Sequence, residues 1–118
     1  MDANVFQKHG EFWTVAFAGR WIRIPDRKGP RYIARLLARP GEEIDVLALS
    51  GMAVSGPAPP PAAGESVDRV RKAVANRLRE TIARIADVHP DLGAHLLESL
   101  RTGRFCSYAP RRMTRWEL

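Results

Sequence analysis

Val67, Val70, Val74, Leu78, Ile82 and Ile85 recur at intervals of three and four, and this stripe constrains the chain more than any other feature. Such spacing gathers apolar side chains on one face of a helix, so the segment from Val67 is committed to about six helical turns with one buried side. Glu65-Ser66 precedes it, with Ser66 as a candidate N-cap. His89-Pro90-Asp91 ends it and caps a second helix with Leu92, Leu96, Leu97 and Leu100 as its apolar positions. Thr102-Gly103 then turns the chain into Arg104-Phe105-Cys106-Ser107-Tyr108, whose alternation reads as a strand.

A stripe of that length needs partners to cover it, and two upstream blocks supply them. Glu11 to Phe17 and Arg20 to Ile24 flank Ala18-Gly19, a tight hairpin turn, and Val5-Phe6 adds a short preceding strand. Asp26 is placed to cap a helix that has Pro30 in its first turn and stops at Arg39-Pro40-Gly41. Ile33, Leu36 and Leu37 form its buried side, while Arg31, Arg35 and Arg39 lie on another. Glu42 to Val46 reads as a short strand or extended turn, and Leu47 to Met52 as a short helix. Residues 55–64, rich in proline and alanine, read as a solvated, semi-stiff loop. Splitting the 118 residues there leaves halves of about fifty to sixty residues, so one domain spanning 1–118, with a basic tail at 110–118, is the expectation.

Several classes fall away. The apolar share of 45% and charged share of 27% are those of a soluble globular chain, with no apolar run long enough for a membrane span. The first residues lack the basic start and apolar block of a secretory leader. Cys106 is the one cysteine, which excludes an internal disulfide and fits a reducing cytoplasm. His89, His95 and Cys106 match no standard zinc spacing, and Cys106 on a strand reads as a buried small hydrophobe. Neither a nucleophile elbow nor a phosphate-binding glycine loop is present, so neither enzyme activity nor a cofactor is expected. Trp13, Trp21 and Trp116 read as core or interface residues, with Trp21, between arginines, the one suited to exposure.

Charge points the other way. The formal net charge is +6, and sixteen of the nineteen cationic residues are arginine. A guanidinium fork matches phosphate and the guanine edge, whereas lysine acts as a point charge. A GC-rich genome produces the same bias without any function, so composition alone does not decide. Placement says more: Arg69, Lys72, Asn76 and Arg79 recur with helical period opposite the apolar stripe, diluted by Asp68 and Glu80.

A basic helix followed by a compact basic hairpin is the arrangement of a winged helix, so the expected class is α+β. It comprises an N-terminal antiparallel sheet, three to four helices with a long basic recognition-type helix, and a C-terminal hairpin wing. The segment IRIPDRKGPRYIARLLARPGEEIDVLALS resembles the opening of the winged-helix output domain of OmpR/PhoB-type bacterial response regulators. RVRKAVANRLRETI and LLESLRTGRFCSYAP resemble that family's recognition helix and final hairpin. FWTVAFAGR, RYIARLL, PGEE and RTGRFCSY are more closely similar to a C-terminal tail module of large bacterial ATPase-type transcriptional regulators. The resemblance covers about residues 5–54 and 65–109. It departs at the Pro/Ala-rich loop, where those modules carry a longer charged helical insertion. The chain also holds no ATPase or receiver domain, so the control that larger proteins exert on such modules is expected to be absent or to be supplied by an ATPase or sensor partner.

On that reading Arg69, Lys72, Asn76 and Arg79 enter the major groove of double-stranded DNA, and Arg101 and Arg104 serve the wing. Arg27, Lys28, Arg31, Arg111, Arg112 and Arg115 are candidates for phosphate contacts, which position without specifying. A cytoplasmic, nucleoid-associated transcriptional regulator, or the output module of one, follows, with a homodimer on two half-sites as the common arrangement. The alternative from another class is a protein-interaction module on the same scaffold. It gains if Asp68, Glu80 and Asp87 neutralise the basic face.

Overall fold

Alternating residues near the N-terminus form a three-stranded antiparallel meander, β1 (Val5–His9), β2 (Phe12–Phe17) and β3 (Arg20–Pro25), in the order β1-β2-β3. The β2–β3 connection is the two-residue turn anticipated at Ala18-Gly19. Both residues have positive φ, 50° and 80°, the conformation whose twist matches a tight hairpin. Phe6, Trp13, Val15 and Ile24 are buried on the inner face. Phe12, Thr14, Trp21 and Arg23 share the outer face, where the Arg23 guanidinium lies 5.6 Å from the Phe12 ring centroid.

The computed structural model describes residues 3–51 and 65–118, with Glu65 and Ser66 described by their helical backbone alone. The expected loop at 55–64 and the capping role of the Ser66 side chain lie outside the described residues, whereas the short helix expected to reach Met52 already ends at Ser50, where Gly51 turns the chain with positive φ.

The first helix, α1 (Lys28–Leu37), buries Tyr32, Ile33, Leu36 and Leu37. Asp26 does not cap it: Arg27 occupies the N-cap position and makes no side-chain cap bond. Asp26 instead accepts two hydrogen bonds from the Arg31 guanidinium, at 3.0 and 2.7 Å, and one from Trp13 Nε1 at 2.9 Å. Lys8 Nζ lies 3.3 Å away, so this carboxylate ties the meander to α1. Charged donors outcompete a single backbone N–H for it.

Beyond α1 come β4 (Ile44–Asp45), α2 (Val46–Ser50), α3 (Glu65–Val88), α4 (Pro90–Ser99), β5 (Leu100–Arg101) and β6 (Phe105–Tyr108). Asp45 caps α2 through the Leu47 N–H at 2.9 Å, and Gly51 closes it with φ 87°. The last three strands form a second antiparallel sheet in the order β4-β6-β5. The described residues thus form a compact α+β fold with two small antiparallel sheets and four helices. No helix among them is long and apolar enough to cross a membrane.

The stripe on α3 packs as its spacing requires, with Val74, Leu78, Ile82 and Ile85 buried and Val70 partly so. Two glycines let neighbouring helices reach it. A Cβ on Gly29 of α1 would stand 1.9 Å from Thr81 Oγ1, and one on Gly93 of α4 2.5 Å from Ala86 Cβ. His89 caps α4 as expected, its Nδ1 accepting from the Leu92 N–H at 3.2 Å. His89 Nε2 lies 2.8 Å from the Phe17 carbonyl, so the Nε2–H tautomer satisfies both contacts.

The chain end does not trail away. Glu117 bridges Val5 in parallel, with Phe6 N–H donating to Glu117 O at 2.9 Å and Glu117 N–H to Asn4 O at 2.8 Å. This covers part of the open edge of β1, a position that otherwise invites unwanted strand pairing. Trp116 stacks on Phe17 at 5.8 Å and donates from Nε1 to Tyr108 Oη at 3.1 Å.

Candidate nucleic-acid interface

Packing of α3 against the core leaves its polar side outward, and the β5–β6 turn closes against one shoulder of it. Lys72, Asn76 and Arg79 stand at helical spacing beside Thr102 and Gly103, with Arg71 on the flank. Together they line a concavity of about 280 Å³. The sheet fixes this meeting: Leu100 pairs with Tyr108 and Arg101 with Ser107, while the Val46 N–H donates to Arg104 O at 2.8 Å. Gly103 has φ 146°, which suits glycine at the turn.

The groove carries its own counter-charge. Asp68 accepts from Arg71 and lies 3.1 Å from Lys72 Nζ. Hydrogen bonds from Arg71 and then Lys72 hold its carboxyl below the usual carboxylate range. Arg69, Lys72, Asn76 and Arg79 are all exposed, as their spacing implied. Arg101 is exposed beside the turn, and Arg104 is held by Asp45 at 3.0 Å, so one wing arginine also braces the hairpin against β4.

A second concavity, of about 230 Å³, lies where α1 meets α3. Arg27 and Lys28 line it, joined by Arg77, Glu80, Thr81 and Arg84. Arg77 and Arg84 were not among the sequence candidates. Their signal was available, because 77, 80, 81 and 84 share one helix side at spacings of three and four.

The remaining candidates go elsewhere. Arg31 is engaged with Asp26. Arg111 pairs with Glu98 of α4 at 2.9 Å. Arg112 and Arg115 border a separate concavity with Asn4, Phe17 and Ala18, over the N-terminal sheet. The helix directly before the hairpin, α4, exposes Asp91, Ala94, Leu97 and Glu98 and no cation, with Leu97 68% exposed. Trp21 is 62% exposed on β3.

Titratable groups near the hairpin are built into packing. Tyr108 Oη lies 2.6 Å from His95 Nε2, beside Phe17 and Trp116. Burial pushes the His95 pKa down, with Glu98 acting weakly in the opposite direction. Burial pushes the Cys106 thiol up, which makes it a poor nucleophile at neutral pH.

Comparison of the chain with protein-family models, with curated proteins and with solved structures finds no match.

Proposed function

We propose that this protein binds double-stranded DNA as a winged helix, with α3 in the major groove and the β5–β6 turn as its wing. One observation carries the reading: Lys72, Asn76 and Arg79 share a single groove with the hairpin turn at Thr102-Gly103. Asn76 has the donor and acceptor to read an adenine edge, and Arg79 the fork to read guanine. The strand order β4-β6-β5 supports the reading, since a winged helix needs its hairpin joined to a strand that lies between its first and second helices, as β4 lies between α1 and α2. A role as a bacterial transcriptional regulator, or its output module, under a controlling ATPase or sensor partner, rests on the sequence resemblance.

A protein-interaction role gains support from two observations. Asp68 binds two of the groove's cations, and α4, directly before the hairpin, offers an exposed leucine rather than arginine. The exposed guanidinium of Arg79, beside the hairpin turn, favours DNA.

Fluorescence anisotropy with a labelled random duplex across a salt series tests the proposal. Phosphate neutralisation gives a log affinity falling linearly with log salt, at a slope of about −0.9 per contact. Arg79→Ala and Asn76→Ala are expected to weaken a selected site more than a random one. Failure to bind at low salt, where a +6 chain has every electrostatic advantage, overturns the reading and makes partner capture the next experiment.

A further inference from the structure

We infer that α3 is straddled by two phosphate-binding rows, one for each strand of a B-form duplex, and that the α1–α3 concavity is the second of them. This rests on the DNA reading above and adds to it the residues that select a duplex.

The placement follows from helix geometry. Each residue turns about 100°, so Arg77 and Arg79, two residues apart, leave the axis roughly 160° from one another. Arg79 joins Arg71 and Lys72 beside the hairpin turn. Arg77 joins Arg84 on the opposite shoulder, where α1 brings Arg27 and Lys28 to the same concavity. The exposed ridge between the rows holds Arg69, Asn76, Glu80 and Ala83.

A helix with its side chains is about 10–12 Å across, and the B-DNA major groove about 12 Å wide, so a helix seated there has a phosphate backbone along each flank. Cations on both shoulders and a mixed polar ridge between them are what that seat requires. A single strand needs one cationic row with stacking aromatics, and among the described residues neither concavity is lined by an aromatic side chain. Duplex RNA has a deep, narrow major groove that does not admit the helix. Glu80 also lines the second row and opposes phosphate there, leaving four cations against one carboxylate.

The close approach of α1 to α3 through Gly29 is what completes this row. Lys28 and Arg27 come from a different element than Arg77 and Arg84, so the row exists only in the packed fold.

The test is anisotropy of the full chain with labelled duplex DNA, single-stranded DNA and duplex RNA of equal length. Wild type is compared with Arg77→Gln/Arg84→Gln, Lys72→Gln/Arg79→Gln and Lys28→Gln. Glutamine keeps the aliphatic stems, and Lys28→Gln probes the second row from an exposed position. Each double variant is expected to reduce the salt slope by about 2 and Lys28→Gln by about 1, with the two doubles additive. Duplex DNA is expected to bind at least about tenfold tighter than the other two at matched salt.

If Arg77→Gln/Arg84→Gln and Lys28→Gln keep the wild-type slope while Lys72→Gln/Arg79→Gln loses it, DNA binding stands and the second row is refuted. Equal binding of single-stranded DNA also refutes it. Absence of wild-type binding to every probe removes the DNA reading itself.

Discussion

Gly29→Ala sets two effects against each other, and the structure decides the sign. Alanine is favoured over glycine inside a helix by about 1 kcal/mol, so a surface view of α1 expects stabilisation. The new Cβ would instead meet Thr81 Oγ1 at 1.9 Å, Thr81 Cβ at 3.0 Å and the Arg77 carbonyl oxygen at 2.9 Å. Rotation of Thr81 relieves the first contact. The carbonyl belongs to the α3 backbone and cannot turn aside, so α1 must retreat by several tenths of an ångström. Overpacking costs about 1–3 kcal/mol, and against a rigid backbone atom the cost falls in the upper half, about 2–3 kcal/mol, so after the propensity gain a net loss of about 1–2 kcal/mol is expected. For a chain of this size that lowers Tm by about 4–10 °C. Differential scanning calorimetry of wild type, Gly29→Ala, Thr81→Ala and the double variant gives the answer. The double variant should recover only part of the loss, because the carbonyl contact persists. A Gly29→Ala protein as stable as wild type, or more so, refutes the close approach and the α1–α3 concavity with it.

Four further outcomes follow from the same contacts. The Asp26 carboxyl is held well below the usual range, first by Arg31, then by Trp13 and Lys8. Its stabilisation is complete above the unfolded value near 3.9 and is lost as pH falls through the lower folded value, so the Tm gap between wild type and Asp26→Asn should close at strongly acid pH. His95 is shifted down by burial, so the unfolded chain takes its proton first and stability should fall as pH drops below about 6.5. His95→Gln should flatten that limb in a Tm series from pH 5 to 8, and an unchanged limb would place its origin elsewhere. Asp68→Asn releases Arg71 and Lys72 and should tighten duplex binding several-fold at low salt, an effect that anisotropy reads directly. Cys106 should resist thiol reagents in the folded protein and react on denaturation, as followed by mass spectrometry; rapid native labelling would contradict its burial.

Local patterning made much of the architecture legible. The period of Val70, Val74, Leu78, Ile82 and Ile85 specified α3, and the alternation around Ala18-Gly19 specified the β2–β3 hairpin. Proline after His89 marked the α3–α4 break, since it ends one helix and starts the next. These signals concern backbone preference and the burial of one face, and both are written into neighbouring residues. The exposed positions of Arg69, Lys72, Asn76 and Arg79 followed from the same period.

Partner choice over long distances was not written that way. Asp26 looked like a cap because its neighbours in sequence begin a helix, yet Arg31, Trp13 and Lys8 converge on it from three elements. The tail looked like a basic extension, yet Trp116 finds Phe17 and Tyr108, and Glu117 finds Val5. Arg31 and Arg111 were grouped with the DNA contacts by charge, and each is held by a carboxylate. Gly29 is unremarkable in sequence, but it sets how near α1 comes to α3 and so whether Lys28 and Arg84 face one concavity. Which residues are helical, which are extended and which faces are apolar follow from dihedral preference and periodicity, and so are legible along the chain. Which charges meet is a property of the packed fold, because an ion pair or a shared groove depends on distances between segments that local pattern does not encode.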